Sequence, residues 1–307
     1  MSTLDRTAEL VLPPPPRRAA KVWALVALLG LILAWAFVGT GFDPVALVQG
    51  VPKMIDMASR SWPASYSLVV DPSAYEFPHR LTLEQLLLPV PLHGDLAYVK
   101  TAWWQNTWPN TLLGGTLQTI QMAVAGTVLA AIIAFPISFL AARNTSPDRS
   151  VYMAVKSVNN FLRSIPDFAI GLVLISAIGL GAFTGVMALT FGTATVLIKL
   201  FAEAIEGVDP GVVEAVQATG ANRLQVYSFA VVPQIMPSFL SFVIYRFESN
   251  IRAATVLGLI GAGGIGELMT SYFRMFQYQE AAMTVLVLIV LVMIVDFTSA
   301  RLRKLVI

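Results

Sequence analysis

The amino-acid sequence predicts an all-α integral membrane protein with about six transmembrane helices, and three observations carry that prediction. Hydrophobic residues make up 56% of the 307 residues and charged residues only 12%, whereas a soluble domain carries about a quarter charged residues. Uncharged runs long enough to cross a bilayer recur along the chain; a hydrocarbon core about 30 Å thick needs roughly 20 helical residues. The charges are gathered into a few short segments between those runs. A formal charge of +2 is too small to argue for nucleic acid, and the absence of cysteine excludes disulfides and thiolate metal sites.

The elements follow in order. Residues 1–21 read as a cytoplasmic tail in which Pro13–Pro16 favour an extended tether, followed by Arg17, Arg18 and Lys21. Val22 to Phe42 is uncharged and reads as the first span, with the basic cluster held inside by the positive-inside rule. It is too long for a typical signal-peptide core. Residues 43–106 read as an external insert carrying one or two short surface helices, one over 44–60. His79 and His93 lie within it; their separation and the lack of a third ligand make them ordinary surface histidines rather than a metal site. Trp103, Trp104 and Trp108 suit an interfacial aromatic belt.

The remaining core, residues 107–307, holds five spans. The first runs inward over Thr111 to Ala142 and ends at Arg143. A helix from Val151 passes Arg163 and Pro166 to Leu180, with Pro166 loosening it and Asp167 capping its outer half. Val186 to Ile205 returns inward. Leu224 to Tyr245 runs outward, placing Arg246, Arg252 and Arg274 on the outer side or within the membrane. The last span covers Ala281 to Phe297 and ends in the basic tail Arg301, Arg303 and Lys304. Six spans with both termini in the cytoplasm fit this charge distribution.

One polar segment breaks the hydrophobic half: Lys199–Arg223 carries six charges in 25 residues, within a loop over 199–233. Asp209 can cap a short helix that opens at Pro210, and Gly220 can end it in a left-handed conformation. A second helix over Asn222–Val232 leads back to the membrane. Glu214, Ala215, Val216, Ala218, Gly220 and Pro233 form the motif Glu-Ala-Val, three residues, Gly, nine residues, Ala-Val-Val-Pro. On physics alone this is equally a plain helical hairpin or a knob that seats on another protein. Glu248 and Arg252 are four residues apart and can pair on one helix face. A charge at a helix centre costs roughly 2.5–3.5 kcal/mol on insertion scales, so such groups need a partner or a wet cavity. Two readings stand: Arg246 or Arg252 faces an anionic solute with Asn250 donating hydrogen bonds, or Glu248 and Arg252 form a structural ion pair. Gly261, Gly263, Gly264 and Gly266 match a dinucleotide fingerprint only in spacing, since a span follows and no suitably placed acid does. They fit a bend or close helix contact near a gate.

The loop motif resembles the cytoplasmic signature of the permeases of binding-protein-dependent, type I ATP-binding-cassette (ABC) importers, with Val216, Ala230 and Val232 as small apolar exchanges. Further stretches carry the resemblance over residues 107–300: Thr116–Thr119, Leu162–Pro166, Ala141–Asn144, Val232–Gln234, Tyr245–Thr255 and Gly261–Gly266. Together they are similar to the phosphonate-type permeases. The resemblance implies the type I permease fold, with a coupling helix at Glu214–Gly220. It implies a multi-pass homodimer in a bacterial inner membrane, two ABC ATPase subunits that bind ATP and Mg, and an external solute-binding protein delivering a small phosphorus oxyanion. The methionine-type permeases are the related alternative. This chain is then no enzyme and binds no cofactor: it has no Gly-x-x-x-x-Gly-Lys-Ser/Thr phosphate loop. An ion-coupled secondary transporter would call for paired intramembrane acids in repeated halves, and a passive anchor leaves the span-breaking glycines and the charged outer segment without a role.

Overall fold

The structure, a computed structural model, describes residues 19–89 and 91–306. The prolines and arginines of the predicted tail, Pro13–Pro16, Arg17 and Arg18, lie outside the described residues. Two compact units are present, Met1–Ala58 and Ser59–Ile307. In the first, α1 (Ala19–Gly39) is apolar on all sides beyond Lys21, and a four-residue connection leads to α2 (Pro44–Ser61), most of which belongs to this unit. Phe42 N donates to Phe37 O, and Asp43 Oδ1 accepts from Val45 N at 2.8 Å to cap α2. Along α2, Leu47, Val48, Val51, Met54 and Ile55 fall on one side and Gln49, Lys53, Asp56 and Arg60 on the other, a pattern suited to a membrane interface.

In the second unit, residues 62–110 fold into a cap made of short helices, among them Ser67–Val70, Leu83–Leu87 and Asp95–Ala102. Trp103 leaves the expected interfacial belt for the interior of the cap. Trp103 is 4% exposed, stacks on Phe77 and donates from Nε1 to Tyr75 O at 3.0 Å. Trp104 Nε1 donates to Leu86 O, and Trp108 packs edge-on to Trp104. Trp103 is thus a core residue of the cap, while Trp104 and Trp108 are half-buried beside it. Ala64, Leu68 and Val69 seat this cap on Leu112, Ile265 and Met283. His79 and His93 are exposed on its surface.

Below the cap lies the helical bundle. α3 (Leu112–Ala141) is capped by Thr111, whose hydroxyl accepts from Gly114 N. It packs closely on α6 (Ala182–Glu206) through small residues; a Cβ on Gly126 would stand 2.8 Å from Leu189 Cβ. Small residues let membrane helices approach in this way. Between them, α4 (Arg149–Arg163) and α5 (Asp167–Ile178) are two helices bent by 83° rather than one loosened helix. Pro166 disfavours helical geometry in Ile165 and has no N–H to continue the ladder, so the chain breaks there. Asp167 is the first residue of α5 and makes no capping hydrogen bond, contrary to expectation.

α7 (Pro210–Ala218) follows, then a turn at Arg223–Val226 that continues through a π-helical stretch, Tyr227–Val231, into α8 (Val232–Gly258). The expected separate helix over Asn222–Val232 is thus the foot of the long span. After a glycine turn come α9 (Gly264–Arg274), which the sequence reading did not anticipate, and α10 (Tyr278–Val306), longer at both ends than expected. Among the described residues five helices are long and apolar enough to cross a membrane, and the bent pair makes six. The cap and α9 lie at one end of the bundle, α7 at the other.

Candidate coupling and translocation sites

At the α7 end the local code works as the sequence indicates. Asp209 accepts from Gly211 N at 2.8 Å, Pro210 opens the helix, and Gly220 adopts φ +82° with its N–H donated to Gln217 O. Val213 and Val216 turn toward the bundle, whereas Glu214, Ala215, Ala218, Gly220 and Pro233 are exposed. This leaves a small-residue knob with an acidic edge. Its base is rigid. Asp209 N donates to Gln234 Oε1, Asn222 and Gln225 form a reciprocal capping box, and Tyr227 Oη donates to Thr145 O at 2.7 Å. Arg143 N and Asn144 Nδ2 bind Glu206 and the Ile205 carbonyl, tying the ends of α3 and α6 together. Behind them Phe201 stacks on Phe239 at 3.6 Å, with Phe135 edge-on at 5.2 Å. Val213 of α7 packs against the apolar cluster that holds these rings.

Within the bundle a polar seam joins three helices. Arg246 Nη2 donates to Thr193 Oγ1 at 3.2 Å, Thr193 Oγ1 donates to Asn250 Oδ1 at 2.9 Å, and Asn250 Nδ2 donates to Thr127 Oγ1 at 2.8 Å. Thr127 in turn donates to Ala123 O. Asn250 is 0% exposed, with both side-chain polar atoms engaged, so it fixes α8 against α3 and α6. Arg246 is half-buried, and its Nε has no hydrogen-bond partner. The sequence offered Asn250 and Arg246; the threonines that join them went unnoticed, although hydroxyls at Thr127 and Thr193 inside otherwise apolar spans were a usable signal.

Glu248 and Arg252 pair at 3.2 Å as their spacing indicates, and the pair is part of a larger lattice. Glu248 also binds Arg303 at 2.9 Å, and Arg252 binds Asp296 at 3.0 Å, both on α10. Two acids and two bases close into a neutral set across α8 and α10, which supports the ion-pair reading for these two residues. Their level differs from the expectation: Glu248 lies about 15 Å of helix rise below Gly258, beside the last turn of α10, and so away from the cap end.

The glycines bring together both readings the sequence allowed. Gly261, Gly263 and Gly264 have φ values of +96°, +85° and +75° and make the bend between α8 and α9. Gly266 permits close contact: a Cβ there would lie 2.0 Å from Thr255 O. The new helix is capped from α3, since Gly264 N donates to Gln118 Oε1 and Ile265 N to Thr119 Oγ1.

A bundle of spans with a knob at one end, a cap at the other and charged groups fixed between them defines a multi-pass membrane transport component. The chain belongs to the binding-protein-dependent transport system inner membrane components, whose family model matches residues 134–307. Members of this family are inner-membrane permeases of ABC importers rather than enzymes, and ATP hydrolysis lies in a separate subunit. The chain is 44% identical over 188 residues to the phosphite transport system permease protein PtxC of Stutzerimonas stutzeri, covering 61% of this chain and 68% of the relative. It is 39% identical over 188 residues to the phosphate-import permease protein PhnE of Mycolicibacterium smegmatis, covering 61% of this chain and 35% of that one. Among solved structures, the MetNI methionine ABC transporter in an inward-facing form has the same fold, with TM-score 0.57 and 20% identity over 64% of this chain and 96% of that chain.

Proposed function

We propose that this chain forms the membrane path of an ABC importer for a small phosphorus oxyanion, with Arg246 meeting the solute and α7 receiving the ATPase. The observation that carries the reading is the Arg246 guanidinium: Nη2 is fixed inside the bundle by Thr193, and the buried Nε has no hydrogen-bond partner among the described residues. A guanidinium is always charged and presents a planar fork that matches an oxyanion. The relatives' names, phosphite for one and phosphate for the other, support a tetrahedral phosphorus anion over methionine, because the methionine transporter shares the fold at only 20% identity.

In the proposed assembly two copies of the permease stand side by side, with two ATPases on the α7 face and a solute-binding protein over the cap. Both termini are then cytoplasmic. ATP and Mg bind in the ATPases; this chain binds neither. When the ATPases close, each pulls an α7 knob, and the Phe201–Phe239 stack passes the movement into α6 and α8. The two halves re-pack to open the cap end, solute enters from the binding protein, and hydrolysis reverses the motion. Glu248 and Arg252 serve the framework by locking α8 to α10, and the Gly261–Gly266 turn supplies the bend at the cap end. The test is uptake of radiolabelled phosphite by cells carrying Arg246→Gln in place of the wild-type permease. The expected result is a loss of about tenfold or more, the scale of one charge-assisted hydrogen bond, at unchanged permease level and ATPase co-purification. Wild-type uptake by the variant would overturn the assignment.

A further inference from the structure

The elbow between α4 and α5 places an acid on the same turn of α6 that anchors Arg246. Gly192 carries no side chain where Asp167 sits: a Cβ there would fall 1.9 Å from Asp167 Oδ1. The carboxylate therefore rests on the α6 backbone, one residue from Thr193, whose hydroxyl receives Arg246 Nη2. Asp167 and Arg246 are within electrostatic reach of each other. Among the described residues they form no direct ion pair, and the Asp167 carboxylate makes no hydrogen bond. Buried charges in a membrane protein are costly and mark function by default. Here a cation with an unspent N–H and an acid with unspent lone pairs flank one turn of one helix.

Resting on the reading that Arg246 meets the solute, we propose that Asp167 is a specificity-determining residue of the same site, accepting a hydrogen bond from an O–H of the bound oxyanion. The chemistry is selective. An ionised carboxylate can only accept, so it welcomes a tetrahedral anion that keeps one proton and repels one that has none. Arg246 donates to the deprotonated oxygens, and Asp167 takes a hydroxyl of the phosphite, phosphonate or dihydrogen phosphate monoanion. Sulfate, without a proton at neutral pH, offers Asp167 only like charge. A monoanion also places two negative charges on one guanidinium, whereas a dianion places three. Gly192 has a role in the same device, because it admits the carboxylate to this position.

The test uses the full-length permease in lipid nanodiscs, with phosphite as the probe and sulfate as competitor. Saturation-transfer NMR on the phosphorus-bound proton of phosphite reads contact with the protein directly. For wild type, a phosphite signal should survive a large excess of sulfate. Asp167→Asn, which replaces an acceptor with a donor of the same shape, should raise the competitive strength of sulfate about tenfold, the scale of one charge-assisted hydrogen bond. Gly192→Ala keeps the charge but expels the carboxylate and should shift selectivity in the same direction. Asp167→Glu retains an acceptor and should preserve it. Unchanged selectivity in Asp167→Asn and Gly192→Ala, with signal lost in Arg246→Gln, overturns the role of Asp167 and leaves that of Arg246 standing. Undiminished signal in Arg246→Gln, or no signal from wild type, overturns both.

Discussion

Neutralising Glu248 should weaken the bundle far more than neutralising Asp296, although each belongs to the same four-charge lattice. Glu248 is the shared acid: its side chain is 13% exposed and it binds Arg303 at 2.9 Å and Arg252 at 3.2 Å. Asp296 meets Arg252 at 3.0 Å, but both of those side chains are 45% exposed. Breaking a buried ion pair costs about 3–5 kcal/mol because a charge is left uncompensated. The partners of Glu248 are partly wet, and an arginine near a helix end can reach the interface. The discounted cost of Glu248→Gln is about 2–3 kcal/mol. An exposed pair is worth about 0–1 kcal/mol, so Asp296→Asn should cost no more than that. The assay is SDS-induced unfolding of the purified permease in mixed micelles, followed by tryptophan fluorescence. Adding Arg303→Gln to Glu248→Gln should recover part of the loss, because the orphaned cation is then removed. Equal costs for the two acids, or a Glu248→Gln cost below about 0.5 kcal/mol, would refute the reasoning that burial decides the strength of this lattice.

Three further outcomes follow from the same geometry. Asn250→Leu removes two interhelical hydrogen bonds and orphans the Thr193 hydroxyl; at about 0.6 kcal/mol per membrane bond plus the unpaired donor, the loss should be about 1–3 kcal/mol in the same SDS titration. Gly266→Ala drives a methyl into the Thr255 carbonyl; backbone must move, and the yield of folded, detergent-stable permease should fall sharply, measured by size-exclusion chromatography. Asp209→Ala deletes the α7 cap at a cost of about 1 kcal/mol, and hydrogen exchange at Gly211–Glu214 should quicken about fivefold while the spans stay protected.

Features coded by neighbouring residues were legible in the sequence. The long apolar runs gave α1, α3, α6 and α10 to within a few residues at most ends, and Asp209, Pro210 and Gly220 gave α7, because caps and spans are written locally. The Glu248–Arg252 pair was equally local. What could not be read depends on distant partners: Asp296 and Arg303 lie 44 and 55 residues from the groups they bind, and Thr127 lies 123 from Asn250. Trp103 departs from the expected belt because an indole suits a lipid interface and a protein core alike, and the cap fold decides between them. Pro166 announced a weak point; the size of the bend follows from how α4 and α5 pack on α6. Asp167 stood out as an intramembrane acid, but its place against Gly192 needed the fold.

The account rests most heavily on α7 as the point where an ATPase delivers force, and co-purification tests it most directly. Permease carrying Glu214→Lys, on the exposed face of α7, is expressed with its ATPase and isolated from membranes. The account predicts that ATPase recovery falls about tenfold or more, in line with loss of a central interface contact, while the permease keeps its SDS-unfolding midpoint. Wild-type ATPase recovery with Glu214→Lys would contradict it.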